Sequence, residues 1–233
     1  MVPNSAAEAF AGNPIDFIRS STPQLRAWVA TQRMELTAAA FDEFVAKLRS
    51  VYEKYTEVLA GKPAGPQRGR ALQRMMDTAV TTASHVKVSC RMGCSGCCHS
   101  EVEITTDEAS VLLENVLGGV EIDVARLKAQ AARERLSPAW AKFWSLENRC
   151  VFLSDEGACR IYKDRPSVCR RLLATTPPEA CTTAGAAVAP VTILHAEVLL
   201  SAAIGLDDGG CSSMSKLLLP AIQESAGLRP PAA

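Results

Sequence analysis

Cys90-Arg91-Met92-Gly93-Cys94-Ser95-Gly96-Cys97-Cys98 packs four thiols into nine residues. Thiols this close oxidise, cross-link and scavenge metals, so a chain gathers them when several must meet at one place. Thiolates are soft ligands and select zinc, Cu(I) or iron–sulfur clusters. The spacing i, i+4, i+7, i+8 would align the sulfurs on one helical face. Gly93 and Gly96 argue instead for a loop whose backbone wraps a metal. The expectation is a loop that leads into a strand or turn, with the fold organised around it.

A second block lies downstream: Cys150, Cys159, Cys169 and Cys181. Cys150-Val151-Phe152-Leu153 and Ala158-Cys159-Arg160-Ile161-Tyr162 flank a polar turn with Gly157, which reads as a β-hairpin. Asp164-Arg165-Pro166 reads as a helix start that carries Cys169 into the first turns. Ligands from both blocks would converge on one centre, with loop and helix-start amides hydrogen-bonded to sulfur. Eight thiols exceed the need of one four-coordinate ion. Either some support the others or there are two centres. Adjacent Cys97 and Cys98 fit one small ion poorly. Zinc sites favour paired C-x2-C knuckles, and C-x3-C-x2-C-C departs from that, so spacing favours iron–sulfur over zinc.

Arg160, Arg170 and Arg171 are candidates to offset thiolate charge, although for each one alone an ordinary solvated arginine is the favoured reading. His99 follows the cluster directly and is a candidate ligand or proton shuttle, with a supporting role the simpler reading. His85 and His195 read as structural, although His195 with Glu197 on an apolar helix would suit a pocket wall. The ninth cysteine, Cys211, reads as a buried thiol.

Composition narrows the class. The chain has 233 residues, 25 basic and 25 acidic, with few aromatics. That gives no electrostatic reason to expect nucleic acid or an anionic membrane as partner, nor a base-stacking surface. Met1 to Gly12 lacks a basic flank and an apolar run. The apolar stretch Ala184 to Leu206 carries Pro190, His195 and Glu197, so it reads as a buried helix and not a membrane span. The expected compartment is the cytoplasm, where thiols stay reduced and clustered cysteines mean metal or redox chemistry. No phosphate loop, dinucleotide fingerprint, nucleophile elbow or HExxH is present.

The expected fold is mainly α, a helical domain with a small β-hairpin organised around a cysteine-ligated metal centre. Residues 1–84 should form a helical hairpin, 85–185 the cysteine-cluster domain, and 186–233 helices packed on the same core. Thr22-Pro23 starts a long helix with Phe41, Phe44, Leu48, Tyr52, Tyr55 and Leu59 on one face. A second helix covers about Arg70 to Ser84, its Met75-Met76 pair in the core. The two should pack on the cysteine region. Thr105-Thr106-Asp107-Glu108 matches a capping box, so a helix runs to about Leu117. Others cover Ile122–Leu136, Val191–Leu206 and Met214–Ser225, the last kinked or broken near Pro220. Trp140, Phe143 and Trp144 should cover apolar surface near the metal, and the tail Pro230 to Ala233 should fray.

The cysteine pattern resembles the YkgJ-type cysteine-cluster family, described as a zinc- or iron-chelating domain. The resemblance rests on Cys90–Cys98, then Cys150-Val151-Phe152-Leu153, then Cys159-Arg160-Ile161-Tyr162-Lys163-Asp164-Arg165-Pro166-Ser167-Val168-Cys169-Arg170. It covers about Val88 to Cys181. The first gap holds three residues where the family commonly has two, which puts Cys90 in doubt as a ligand. The resemblance implies metal binding by Cys90, Cys94, Cys97, Cys98, Cys150, Cys159, Cys169 and Cys181. The leading expectation is a [4Fe–4S] cluster, with structural zinc as the alternative. Flagellin lysine N-methylase shares the motif, which adds an iron–sulfur enzyme acting on a protein side chain as a further alternative, although no methyl-donor pocket is legible.

Overall fold

The structure, a computed structural model, describes residues 14–83, 86–141, 145–183, 185–207 and 210–227. Its α-helices are α1 Pro23–Glu35, α2 Ala38–Ala60, α3 Pro66–Thr82, α4 Thr106–Leu117, α5 Val124–Ala131, α6 Ser167–Arg171, α7 Leu194–Leu206 and α8 Met214–Gly227. Strands β1 Glu103–Ile104, β2 Leu173–Ala174, β3 Pro190–Val191 and β4 Ser212–Ser213 pair antiparallel, β1 with β4 and β2 with β3. The chain is therefore mainly helical, with two small strand pairs that clip distant segments together. Expectations for His85, Phe143, Trp144 and the tail Pro230 to Ala233 lie outside the described residues.

Local chemistry explains most element boundaries. Thr22 caps α1, its hydroxyl accepting from the Leu25 N–H at 3.1 Å. The single long helix expected after it is two helices. Thr37 sits in extended backbone and its hydroxyl accepts from the Ala40 N–H at 3.3 Å, which starts α2 afresh. The apolar stripe from Phe41 to Leu59 belongs wholly to α2. Helix α3 begins earlier than expected, with Pro66 in its first turn after Gly65 at φ +93°. The capping box is complete: Glu108 N–H to Thr105 Oγ1 and Thr105 N–H to Glu108 Oε2, both 3.3 Å. Helix α5 is shorter than its apolar pattern suggested, because Asp123 caps it (Arg126 N–H, 2.8 Å) and Leu136 takes φ +58° beyond its end. Val191 joins β3, so α7 starts at Leu194. Helix α8 continues past Pro220 instead of breaking there.

The β-hairpin is reduced to one isolated bridge, Leu153 with Cys159. Ser154 N–H to Ala158 O (2.8 Å) and Arg160 N–H to Phe152 O (2.9 Å) hold it. A 3-10 turn at Tyr162–Asp164 then carries the second arm away before a ladder forms.

Helix α7 is the centre. Ala196 to Ala203 are all buried, and the helix packs against α1, α2, α3 and α6. An element apolar on every face belongs inside a core, not on an amphipathic surface. Phe41, Leu48 and Tyr52 from α2 meet Val198 and Ala202. Leu72 and Met76 from α3 meet Leu199 and Ala203. Thus α2 lies on α7, and α3 reaches the cysteine region through α4 and α6. A third core gathers Ile104, Leu112, Leu127, Phe152, Ile161, Met214 and Leu218, with Cys150 and Cys159 packed at its edge. Among the described residues no helix is long and apolar enough to cross a membrane.

Candidate metal centre

The first cysteine block turns at Gly93, where φ is +84° and Cys94 N–H bonds Arg91 O at 3.0 Å. A 3-10 turn, Gly96–His99, follows and presents Cys97 and Cys98. Backbone joins the blocks directly: Cys150 N–H donates to Cys98 O at 2.7 Å. Cys169 rides on α6, whose first amide, Ser167 N–H, donates to the buried Glu108 carboxylate at 2.6 Å. Arg170 fixes the approach to α6. Its guanidinium donates to Arg165 O at 2.9 Å, to Lys163 O and to Asp77 at 2.5 Å.

These elements enclose a cavity of about 90 Å³ lined by Cys94, Cys97, Cys98, Cys150, Cys159 and Cys169. Phe152, Ile161 and Met214 supply apolar wall, and among the described residues Glu101 is the one carboxylate and Arg165 the one cation in the lining. Among the described residues no three His, Cys, Asp or Glu side chains form a ready-made group for one ion. The sulfurs line a shared volume.

Their environment is costly for free thiolates. Burial pushes the Cys150 thiol up to about 12, and its neighbours Cys159 and Cys97 add to this. Burial raises Cys169 well above the usual thiol range, with Cys97, Cys150 and Cys159 acting in the same direction. Cys159 is also raised by burial. Cys97 runs the other way: the Cys98 S–H hydrogen-bonds to it and favours its thiolate, which in turn holds the Cys98 proton on. Backbone amides point at sulfur as well, Phe152 N–H at Cys150, Ile161 N–H at Cys159, and Ala174 N–H at Cys90 (3.3 Å). Such bonds stabilise thiolates and tune a bound metal.

The three arginines proposed as counter-charges do other work. Arg170 holds backbone as above, Arg171 pairs with the buried Glu197 at 2.5 Å, and Arg160 is exposed, 3.4 Å from Glu121 O. The cation at the thiols is Arg165. It lies 4.1 Å over the Tyr162 ring and favours the thiolates of Cys90, Cys97 and Cys159. Its Nε is buried and, among the described residues, has no hydrogen-bond partner. The Arg165-Pro166 pair inside the second block was the available signal. Glu108 was legible as a cap but not as the anchor of α6.

His99 is buried outside the cavity lining, its Nδ1 3.4 Å from Ser95 O. His195 lines a separate groove of about 560 Å³ and bonds Tyr55 OH at 3.0 Å. Glu197 turns away from that groove to Thr22 Oγ1 at 2.7 Å and to Arg171. Cys211 lies beside Glu103 and Arg135, and burial pushes it up to about 11. Trp140 sits against Arg133 at 4.8 Å and meets Cys150 at a small neighbouring cleft.

Residues 89–184 match the family model CxxCxxCC, described as "Putative zinc- or iron-chelating domain". Over this segment the chain is similar to that family. The match begins just before Cys90 and ends just after Cys181, so it contains every thiol except Cys211. No curated protein and no solved structure matches the chain.

Proposed function

We propose that the chain binds an iron–sulfur cluster, [4Fe–4S], in the thiol-lined cavity, within a reducing compartment. Cys97, Cys150, Cys159 and Cys169 would hold it, with Cys98 hydrogen-bonded to Cys97. The observation that carries this reading is the distribution of sulfur around a volume of about 90 Å³. One tetrahedral zinc needs four sulfurs at roughly 2.3 Å from one point, hence about 3.8 Å from each other. No three ligating side chains among the described residues are grouped for a single ion, whereas a polynuclear centre takes its thiolates from separate corners. The orphaned Arg165 Nε supports an anionic occupant. Bound there, such a cluster supplies one-electron transfer or a structural staple. The protein's part is to bring two cysteine blocks together, aim amides at sulfur and exclude water with Phe152 and Ile161.

Anaerobically purified protein should be brown and hold about four irons and four acid-labile sulfides per chain. A colourless preparation with stoichiometric zinc would overturn the cluster and leave the site. Arg165→Met should raise the thiol pKa values, because it removes the cation that favours three thiolates. Protons then compete better, so the pH of half-loading should move up. Metal retention at neutral pH should weaken roughly tenfold if one thiol becomes ten times harder to deprotonate. Chelator competition across pH measures this, and an unchanged midpoint would remove Arg165 from the site.

A further inference from the structure

Glu101 joins the thiol-lined cavity to a strained stretch of surface. Its carboxylate lines the cavity, and Oε1 is buried with no hydrogen-bond partner among the described residues. A buried carboxylate oxygen without a donor is unfavourable, so something else must hold it there. The other oxygen is what holds it: Oε2 accepts from the Leu136 N–H at 2.8 Å.

Among the described residues Leu136 is the only one besides glycine with a positive φ, +58°, and it is 75 % exposed. Left-handed backbone crowds the Cβ of any residue but glycine, and so exposed a side chain has little packing to keep it there. Such strain persists only where the surroundings over-determine it, as at clamps and switches. Here the restraints are few. They are the Glu101 bond to the Leu136 amide, Ser137 N–H to Glu134 O at 3.2 Å, and the Arg135–Glu103 ion pair. One carboxylate therefore touches both the cavity and the strained amide.

We propose that Glu101 is a positioning residue that links the electron content of the inner centre to the loop at Leu136. This rests on the reading of the cavity as the cluster site. Glu101 sets a negative charge in the lining, against the positive charge of Arg165, and so opposes electron uptake. When a reductant delivers one electron, the charge facing Oε1 becomes more negative by one, and no covalent bond of the protein forms or breaks. Repulsion then drives the carboxylate out of the cavity. The Leu136 N–H loses its acceptor, and the leucine relaxes to ordinary backbone. The test compares full-length, iron-loaded protein, oxidised and dithionite-reduced, under anaerobic hydrogen exchange read by mass spectrometry. The peptide spanning Leu136 should exchange roughly tenfold faster after reduction, the ratio that relief of one left-handed residue supplies. Glu101→Gln keeps the side chain's shape and removes its charge. Its midpoint potential should rise, and its two oxidation states should exchange alike at Leu136. Equal exchange in the two states of wild type, a difference that survives in Glu101→Gln, or an unmoved potential there would overturn the link. Any of these in brown, iron-loaded protein leaves the cluster standing. A colourless zinc protein overturns both readings, so iron analysis separates the two failures.

Discussion

Cys169→Ser should lose most of its metal and unfold the cysteine half of the chain, while Cys211→Ser should keep both metal and stability. Both residues are half-buried thiols, so simple packing predicts similar costs. Their surroundings differ. Cys169 lines the cavity with five other thiols, on a helix anchored by Glu108 and Arg170. Cys211 faces Glu103 and Arg135. Metal held by several thiolates contributes on the order of 10 kcal/mol of apparent folding free energy, as much as a whole domain's stability. A loss of only ~4 kcal/mol would lower Tm by roughly 10 °C at this chain length. Acid should reproduce the effect in wild type. Because burial raises Cys150 and Cys169, metal must displace their protons, and affinity falls about tenfold per displaced proton for each pH unit downward. Elemental analysis and thermal melts of the two variants decide the matter. Equal tolerance would mean that Cys169 is no ligand.

What the sequence made legible was chemistry written in local order. Thr22 and the Thr105–Glu108 box act on amides within a few residues and each starts a helix, while α6 follows Arg165-Pro166 directly, with no side-chain cap. The break at Leu36-Thr37 was missed because the apolar stripe that follows it reads smoothly as part of one long helix. The strand pairs were missed for another reason. Leu173 pairs with Val191 and Glu103 with Ser213, so two-residue strands with distant partners carry no periodicity of their own. The hairpin failed because a pattern of short apolar runs cannot tell two paired strands from one bridge followed by a turn.

The cavity shows the same division. That Cys97, Cys150, Cys159 and Cys169 would gather was legible, since thiols at such density have few other uses. That Cys90 and Cys181 stand outside the cavity lining while Cys94 belongs to it was not. It depends on where the Ala180–Thr182 turn lands, and that is decided by the bare face of Gly96 and by the pairing of β2 with β3. Nor could proximity in sequence assign the arginines. Arg160, Arg170 and Arg171 neighbour cysteines in the chain, whereas Arg165 neighbours them in space.

Glu108→Ala should be the most disruptive change away from sulfur. The carboxylate is 0 % exposed and accepts from Ser167 N–H at 2.6 Å, Thr105 N–H at 3.3 Å and Thr105 Oγ1 at 3.5 Å. Truncation strands buried donors at about 1–3 kcal/mol apiece and opens a cavity, for a net loss of roughly 3 kcal/mol. Thr105→Ala removes the cap and should cost only about 1 kcal/mol. The excess belongs to Ser167, whose release frees the start of α6 and thereby Cys169, so Glu108→Ala should also bind metal more weakly. Glu108→Gln keeps the shape and separates charge from packing. Burial raises the Glu108 pKa even though the Ser167 and Thr105 donors pull it down. Folded protein therefore holds this proton more tightly than unfolded chain does. The associated stability is complete below the unfolded value of about 4.3 and is lost as pH rises through the higher folded one. Glutamine lacks that slope, so its melting temperature relative to wild type should climb as pH is raised from about 4. The thiols are common to both proteins and their titration cancels in the difference. A difference that stays flat with pH would show that the buried carboxyl does not titrate above its unfolded value. A glutamine variant as unstable as the alanine one would show that shape and hydrogen bonding at this position do not hold α6.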